Sequence, residues 1–259
     1  VSLGNTDEVS NLGLWLVRVE DEPLATALQS QLGGKIYRPW LDNEQSQRTQ
    51  FNQFYHDHTK WIFIAATGIA VRFLDGQIQS KLSDPAVVVV DSAGRYAISL
   101  LAGHEGGANK LAYLVANAIG AIPVVTTATE ALKSLVVGVG CRKGISAEKV
   151  KNAIDGALGE RNLSDVREIV TIDLKANEPG LLEYCAQYDI PLRVFSSLDV
   201  KYRPWVTEPS DWVQQNVGVV GVCEPCALMA SIRGSLVVSK FRLAGVAVAI
   251  VEDNRGFVV

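Results

Sequence analysis

Hydrophobic positions along the chain follow two rhythms, and the alternation between them runs twice. Leu12 to Val19 is almost continuously apolar and reads as a first strand. Asp21 can cap a helix with Pro23 in its first turn, and Leu24, Leu28 and Leu32 then recur on one face until Gly33-Gly34. KIYRPW (35–40) reads as a short strand, LDNEQSQRTQ (41–50) as a polar loop or weak helix, and WIFIAAT (61–67) as a buried strand ending at Thr67-Gly68. AVVVVD (86–91) and RYAISLL (95–101), joined by the turn Asp91–Gly94, predict a β-hairpin. Lys110 to Ile119 is helical, with Leu111, Leu114, Val115 and Ala118 on one side and Gly120 as its stop. IPVVTT (122–127) is a further strand.

TATEALK (127–133) runs into the strand SLVVGVG (134–140) without a Pro/Gly-rich linker. The pattern then repeats. SAEKVKNAIDGAL (146–158) is a helix with Ser146 as N-cap and Val150, Ile154 and Leu158 at helical spacing. VREIVTIDL (166–174) is a strand, EPGLLEYCAQYD (178–189) a helix and PLRVFS (191–196) a strand. CEPCALMASI (223–232) is a helix with an extended lead-in, and SLVVSKFRLAGVAVAIVED (235–253) a closing hairpin. Such alternation predicts an α/β fold of two units, each a mainly parallel or mixed sheet flanked by helices. The expected domains are 1–132 and 133–259.

Composition narrows the function classes. At 259 residues with 20% charged side chains the chain is long enough for one large domain or two ordinary ones. A net charge of −4 argues against a general nucleic-acid binder but leaves room for an acidic small ligand held by a local cluster of Arg and Lys. No apolar run reaches the ~18 residues of a membrane span. The opening VSLGNTDEVSN lacks a basic segment followed by an apolar core, so no signal peptide is expected there. Cys141, Cys185, Cys223 and Cys226 lack framework spacing and suit a reducing cytoplasm.

Several motifs carry candidate chemistry. GHEGGAN (103–109) lies between a strand and a helix. It fits an anion corner, a site for a catalytic His104, or a plain turn; no P-loop lysine follows its glycines. An imidazole at a strand's carboxyl end lies where α/β proteins bind ligands. GVGCRKG (138–144) imitates a dinucleotide fingerprint, but its last glycine comes one residue late and no acid clearly ends the next strand; it reads better as a second anion corner. CEPC (223–226) lacks a second cysteine pair for zinc, and HDH (56–58) sits in a polar stretch, so no metal site is expected. There is no G-x-S-x-G elbow. Asp84, in DPAV, enters the four-valine strand after Arg72 and Lys81.

Taken together, ATGIAVRFL (66–74), KLSDPAVVVVDSAGRYAISLLAGHEGGANKLA (81–112), PVVTTATE (123–130), VGVGCRKGIS (137–146), TIDLKANEPGL (171–181), CEPCALMAS (223–231) and SKFRLAGVAVAI (239–250) resemble the cobalamin biosynthesis protein G (CbiG) family, the cobalt-precorrin-5A hydrolases, over nearly the whole chain. The first unit resembles the family's N-terminal domain, and the second its C-terminal, CobE-like domain. The chain departs from the family in lacking a central segment before GVGC, and in reading EPCA where EPAA is usual. The resemblance implies opening of the δ-lactone of cobalt-precorrin-5A and release of its C20 unit as acetaldehyde, giving cobalt-precorrin-5B. Cobalt would arrive with the substrate, and no cofactor of the protein's own is implied. The substrate carries many carboxylates, which gives an acidic protein a use for basic corners.

On this reading His104 is the first candidate general base or acid, being of the type that ordinarily titrates near neutrality, and Asp84 the second. The amides of Gly106, Gly107 and Ala108 would serve an oxyanion or carboxylate, supported by Asn109. Arg72, Lys81 and Arg142 would hold peripheral carboxylates, with Gly140 at the second corner and hydroxyls from Thr126, Thr127 and Thr129. Other cobalamin-pathway enzymes and a second copy of the chain stand as candidate partners. The competing class is a tetrapyrrole-binding or pathway-scaffold protein without turnover; a nucleotide-binding protein would rest on GVGCRKG alone.

Overall fold

The computed structural model describes residues 11–42 and 44–254, so the expectation about a leader falls outside the described residues except at Asn11. The chain forms two compact units, residues 1–127 and 128–259.

The N-terminal unit is built on β1 (Leu12–Leu16), α1 (Glu22–Leu32), β2 (Lys35–Tyr37), α2 (Gln47–Phe54), β3 (Lys60–Ile64), α3 (Thr67–Leu74), β4 (Ala86–Val90), β5 (Tyr96–Leu101), α4 (Ala108–Ile119) and β6 (Ile122–Val124). Its sheet has the order β2-β1-β3-β4-β5-β6. All neighbours are parallel except β4 and β5, the expected hairpin. Both faces of this sheet are covered, which is why its strands read as unbroken apolar runs. Leu12, Leu14, Leu16, Ile62, Ile64, Val88 and Val90 face α1 and α4. Trp15, Trp61, Phe63, Val87 and Val89 pack with Phe51 of α2 and Ala70 and Leu74 of α3 on the other.

One segment resolves between its two expected readings, and another differs from expectation. The polar stretch 41–50 turns helical at Gln47 because the Ser46 hydroxyl caps the Thr49 N–H and Phe51 is fully buried among aromatic rings. The strand expected over 61–67 ends at Ile64, and Thr67 already begins α3, an eight-residue helix without an expected counterpart.

The C-terminal unit comprises α5 (Ala128–Ala131), β7 (Leu135–Cys141), α6 (Ala147–Leu158), β8 (Val166–Ile172), α7 (Pro179–Gln187), β9 (Leu192–Phe195), α8 (Ser197–Tyr202), α9 (Asp211–Val217), α10 (Cys223–Ala230), β10 (Ser235–Leu243) and β11 (Val246–Glu252). Its sheet runs β10-β11-β7-β8-β9, with β7, β8 and β9 parallel and the closing hairpin antiparallel beside them. Val137, Val139 and Ile169 face α6 and α7. Val136, Val170 and Ile172 lie in the opposite layer with Cys226 and Ala227 of α10. Ser146 caps α6 as its position predicts, accepting from the Lys149 N–H. α8 and α9 had no expected counterpart; their cappers are Ser196 and Ser210.

Candidate functional site

The GHEGGAN corner is shaped by backbone bonds before side chains. Ala102 leaves β5 in a left-handed conformation, φ 54° for a non-glycine residue, a strain that is commoner at functional sites than elsewhere. Its carbonyl accepts from the N–H groups of both Gly106 (3.1 Å) and Ala108 (3.2 Å), and the Gly103 carbonyl from Asn109 N–H (2.9 Å). This corrects the expectation that Gly106, Gly107 and Ala108 together present donors to a ligand. Two of the three amides are turned into the loop, and only that of Gly107 has no partner among the described residues.

The topology corrects a second expectation. β5 runs antiparallel to β4, with Leu101 opposite Val87, so its carboxyl end lies at the amino edge of β1, β3 and β4. His104 therefore sits at the edge opposite the one where parallel α/β sheets usually take ligands. What assembles there is the loop before β4. Asp84 is 5% exposed, and its carboxylate accepts from Gln79 N–H at 3.1 and 3.0 Å and from Ser80 N–H at 3.1 Å. Expected as a second acid or base, it is held by the backbone of its own loop. That loop is pressed on the glycine corner: a Cβ on Gly106 would meet Ala102 at 2.5 Å and the Asp84 carbonyl at 3.5 Å. Lys81 joins the loops from outside through a 2.9 Å ion pair with Glu105. Hydrogen bonding from Lys81, then from its own backbone, holds the Glu105 carboxyl below the usual carboxylate range.

Asn109 is satisfied at both ends. Its Oδ1 accepts from Ser99 at 2.8 Å and its Nδ2 donates to the Thr127 hydroxyl at 3.1 Å, tying β5, α4 and the chain after β6. His104 is exposed beside a cavity of about 220 Å³ that Lys60, Glu105, Gly107, Lys110 and Leu114 also line. The structure thus brings together Lys81, Asp84, His104, Gly106, Gly107, Ala108, Asn109 and Thr127. Arg72 is not among them; it lies on α3, its guanidinium 3.3 Å from the Gly68 carbonyl. Thr126 is exposed beyond β6, and Thr129 is exposed on α5 in the other unit. Sequence reasoning missed Lys60 and Lys110. Lys110 could have been found as the residue after Asn109 in the helix's first turn; Lys60 comes from a strand start with no local signal.

Gly140 and Arg142 belong to the C-terminal unit, where the GVGCRKG corner proves to be filled from within. Glu178, 5% exposed, accepts from the N–H groups of Gly144 (2.6 Å) and Ile145 (3.1 Å), and its other oxygen lies 3.4 Å from Lys175 Nζ. The glycines before it seat a helix rather than a pyrophosphate. A Cβ on Gly138 would collide with the Cys223 carbonyl at the start of α10, and one on Gly140 would stand 3.2 Å from Val222. Arg142 remains exposed with no acidic partner among the described residues. Cys141, Cys185, Cys223 and Cys226 are free thiols. Among the described residues no group of three or more His, Cys, Asp or Glu side chains is gathered as a metal site, and no helix is long and apolar enough to cross a membrane.

The family described as cobalamin synthesis G N-terminal matches residues 49–130, and that described as cobalamin synthesis G C-terminus matches residues 135–251. This chain belongs to the CbiG family. A cobalt-precorrin-5A hydrolase of Salmonella typhimurium is 55% identical over 78 residues, 30% of this chain and 22% of that protein's length. The cobalt-precorrin-5A hydrolase of Priestia megaterium is 24% identical, covering 79% of this chain and 81% of its own. A probable cobalt-precorrin-5A hydrolase of Methanocaldococcus jannaschii is 28% identical, covering 75% and 85%.

Proposed function

We propose that this CbiG-family chain is a cobalt-precorrin-5A hydrolase. The observation that carries the reading is the ordered pair of family matches, 49–130 followed by 135–251, in a chain that aligns with a cobalt-precorrin-5A hydrolase and a probable one over 81% and 85% of their lengths. In the reaction, water adds to the lactone carbonyl and the acyl C–O bond breaks, leaving a carboxylate and a hydroxyl on C20. Removal of that hydroxyl proton forms the aldehyde C=O as the bond from C20 to the ring breaks. The macrocycle with its cobalt accepts the electron pair, and acetaldehyde departs.

The chain's own residues have three tasks in this scheme. His104, exposed at the cavity rim, takes the proton from water, returns it to the leaving C20 oxygen as the acyl C–O bond breaks, and then takes the hydroxyl proton. The Gly107 N–H, with Lys60 and Lys110 on the same cavity, faces the developing oxyanion. Asp84 and Asn109 position rather than react, one fixing the loop beneath Gly106 and the other holding Thr127. No cofactor beyond the substrate's cobalt enters. The reading is tested by mixing the protein with cobalt-precorrin-5A and measuring acetaldehyde. Wild type should release it, and His104→Ala should lower the rate by about 100-fold or more; wild-type rates in that variant would remove His104 from the chemistry.

A second reading, a tetrapyrrole-binding protein without turnover, is favoured by one observation: most polar groups of the corner are already engaged with one another. A spectral shift of the substrate without acetaldehyde would select it.

A further inference from the structure

The carboxyl ends of β7 and β8, the start of β11 and the amino end of α10 enclose a cavity of about 590 Å³ within the C-terminal unit. That is the size of small-molecule sites, and it opens at the edge where parallel strands usually present ligands. Ile172, Val213, Val217, Val222 and Val246 line it with apolar surface. Four cations join that lining: Arg142, Lys175, Lys240 and Arg242.

Their pairing is uneven. Lys175 is held by Glu178, whose other oxygen is spent on the Gly144–Ile145 turn. Arg242 has Glu208 at 3.6 Å, with both side chains well exposed, a pair of little strength. The Lys240 ammonium donates to the Glu208 main-chain carbonyl at 3.0 Å. The backbone beside Glu208 is pinned: Thr207 donates its N–H (3.0 Å) and its hydroxyl (2.5 Å) to Glu224, a carboxylate 1% exposed that also takes the Lys240 N–H (3.2 Å). Glu208 thus offers a loosely paired carboxylate on a fixed segment, beside cations it does not fully satisfy. Arg142 has no acidic partner among the described residues and Arg242 only a loose one, so the apolar floor beside them matches a body that is apolar across its face and bears carboxylates at its edge.

We propose that this cavity is a seat for the carboxylates of the macrocycle, with Lys175, Lys240 and Arg242 joining Arg142 as the reading cations and Glu208 as an internal carboxylate that a ligand carboxylate replaces. The inference rests on the hydrolase reading only for the identity of the ligand. Calorimetry on the full chain with cobyrinic acid, a stable corrinoid polycarboxylate, and with its fully esterified form tests it, alongside acetaldehyde release from cobalt-precorrin-5A.

The acid should bind and the ester should not. Lys240→Ala/Arg242→Ala and, separately, the surface variant Arg142→Ala should each weaken binding about tenfold or more. Glu208→Gln should tighten it severalfold by removing the competitor. Near-UV circular dichroism matching wild type certifies the fold of each variant. Equal binding of acid and ester, or unchanged affinity in both cation variants, would overturn the seat while leaving acetaldehyde release intact. Binding that depends on these cations, in a protein that releases no acetaldehyde, would sustain the seat and sink the hydrolase reading.

Discussion

Glu178 gives the sharpest physical test of how the GVGCRKG corner is built. It is the N-cap residue of α7, yet its side chain does not cap α7; it reaches back to the turn before α6. Of the two N–H groups it satisfies, that of Ile145 is buried and that of Gly144 lies at the surface. In Glu178→Ala the Ile145 amide loses its only acceptor in the described structure, at about 1–3 kcal/mol, while water can replace the partner of Gly144 for about 1 kcal/mol. The total is about 2–4 kcal/mol. Glu178→Gln keeps an oxygen for both amides and gives up charge assistance, about 1 kcal/mol. Amide hydrogen exchange followed by NMR reads this locally, so the two-unit architecture does not blur it. Ile145 protection should fall about 30- to 700-fold in the Ala variant and roughly tenfold or less in the Gln variant. Unchanged protection at Ile145 in Glu178→Ala would refute the view that the corner's anion is Glu178.

Three further outcomes follow from the geometry. Gly138→Ala drives a methyl into the Cys223 carbonyl and should cost about 3 kcal/mol in urea unfolding, whereas Gly140→Ala meets only Val222 at 3.2 Å and should cost about 1 kcal/mol; equal costs would contradict the seating of α10 on β7. Burial pushes the Cys141 thiol up to about 11 and the Cys185 and Cys223 thiols up to about 12, so iodoacetamide at pH 8 should leave native protein unmodified by mass spectrometry and label all four cysteines after denaturation. His58 accepts from or donates to Tyr37 at 2.8 Å, and burial lowers its pKa from the ordinary 6.5; a lowered histidine binds more protons when unfolded, so the stability it supports is present above about pH 6.5 and is lost as pH falls below it. Thermal melts of wild type and His58→Gln between pH 7.5 and 5.5 should show the steeper loss in wild type.

Much of the fold was legible because its strands lie between two layers. Continuous apolar runs such as Val87–Val90 and Leu135–Val139 require cover on both faces, and helices with apolar faces stand next in the chain to supply it. α2 was harder to read, since its core contribution rests mainly on Phe51 in an otherwise polar stretch and an aromatic cluster assembled from residues distant in sequence holds it. α3 was masked by the preceding strand: WIFIAAT flows into TGIAVRFL without a polar break, and only the Ala66 backbone, extended at ψ 139°, marks the change.

The candidate site was legible in its residues but not in its polarity. The hairpin at Asp91–Gly94 is legible, but the edge on which His104 falls follows only once β4 is known to run parallel to β3, a long-range pairing that no short stretch signals. Asp84 and Glu178 show the same limit in side chains. A carboxylate next to glycine-rich backbone is equally suited to meet a ligand or to replace one, and only distances tell which amides it already holds. Asp84 and Glu178 hold backbone amides of nearby loops, while Lys60 and Lys110 line a cavity in one unit and Lys175, Lys240 and Arg242 line one in the other. These four lysines and one arginine are scattered over a strand start, a helix's first turn, the segment after β8 and the edge strand β10, and no short motif joins them. Their significance arises only when the sheet gathers them round apolar surface, which is why a cationic seat for a polycarboxylate is a property of the fold and not of any short stretch of this chain.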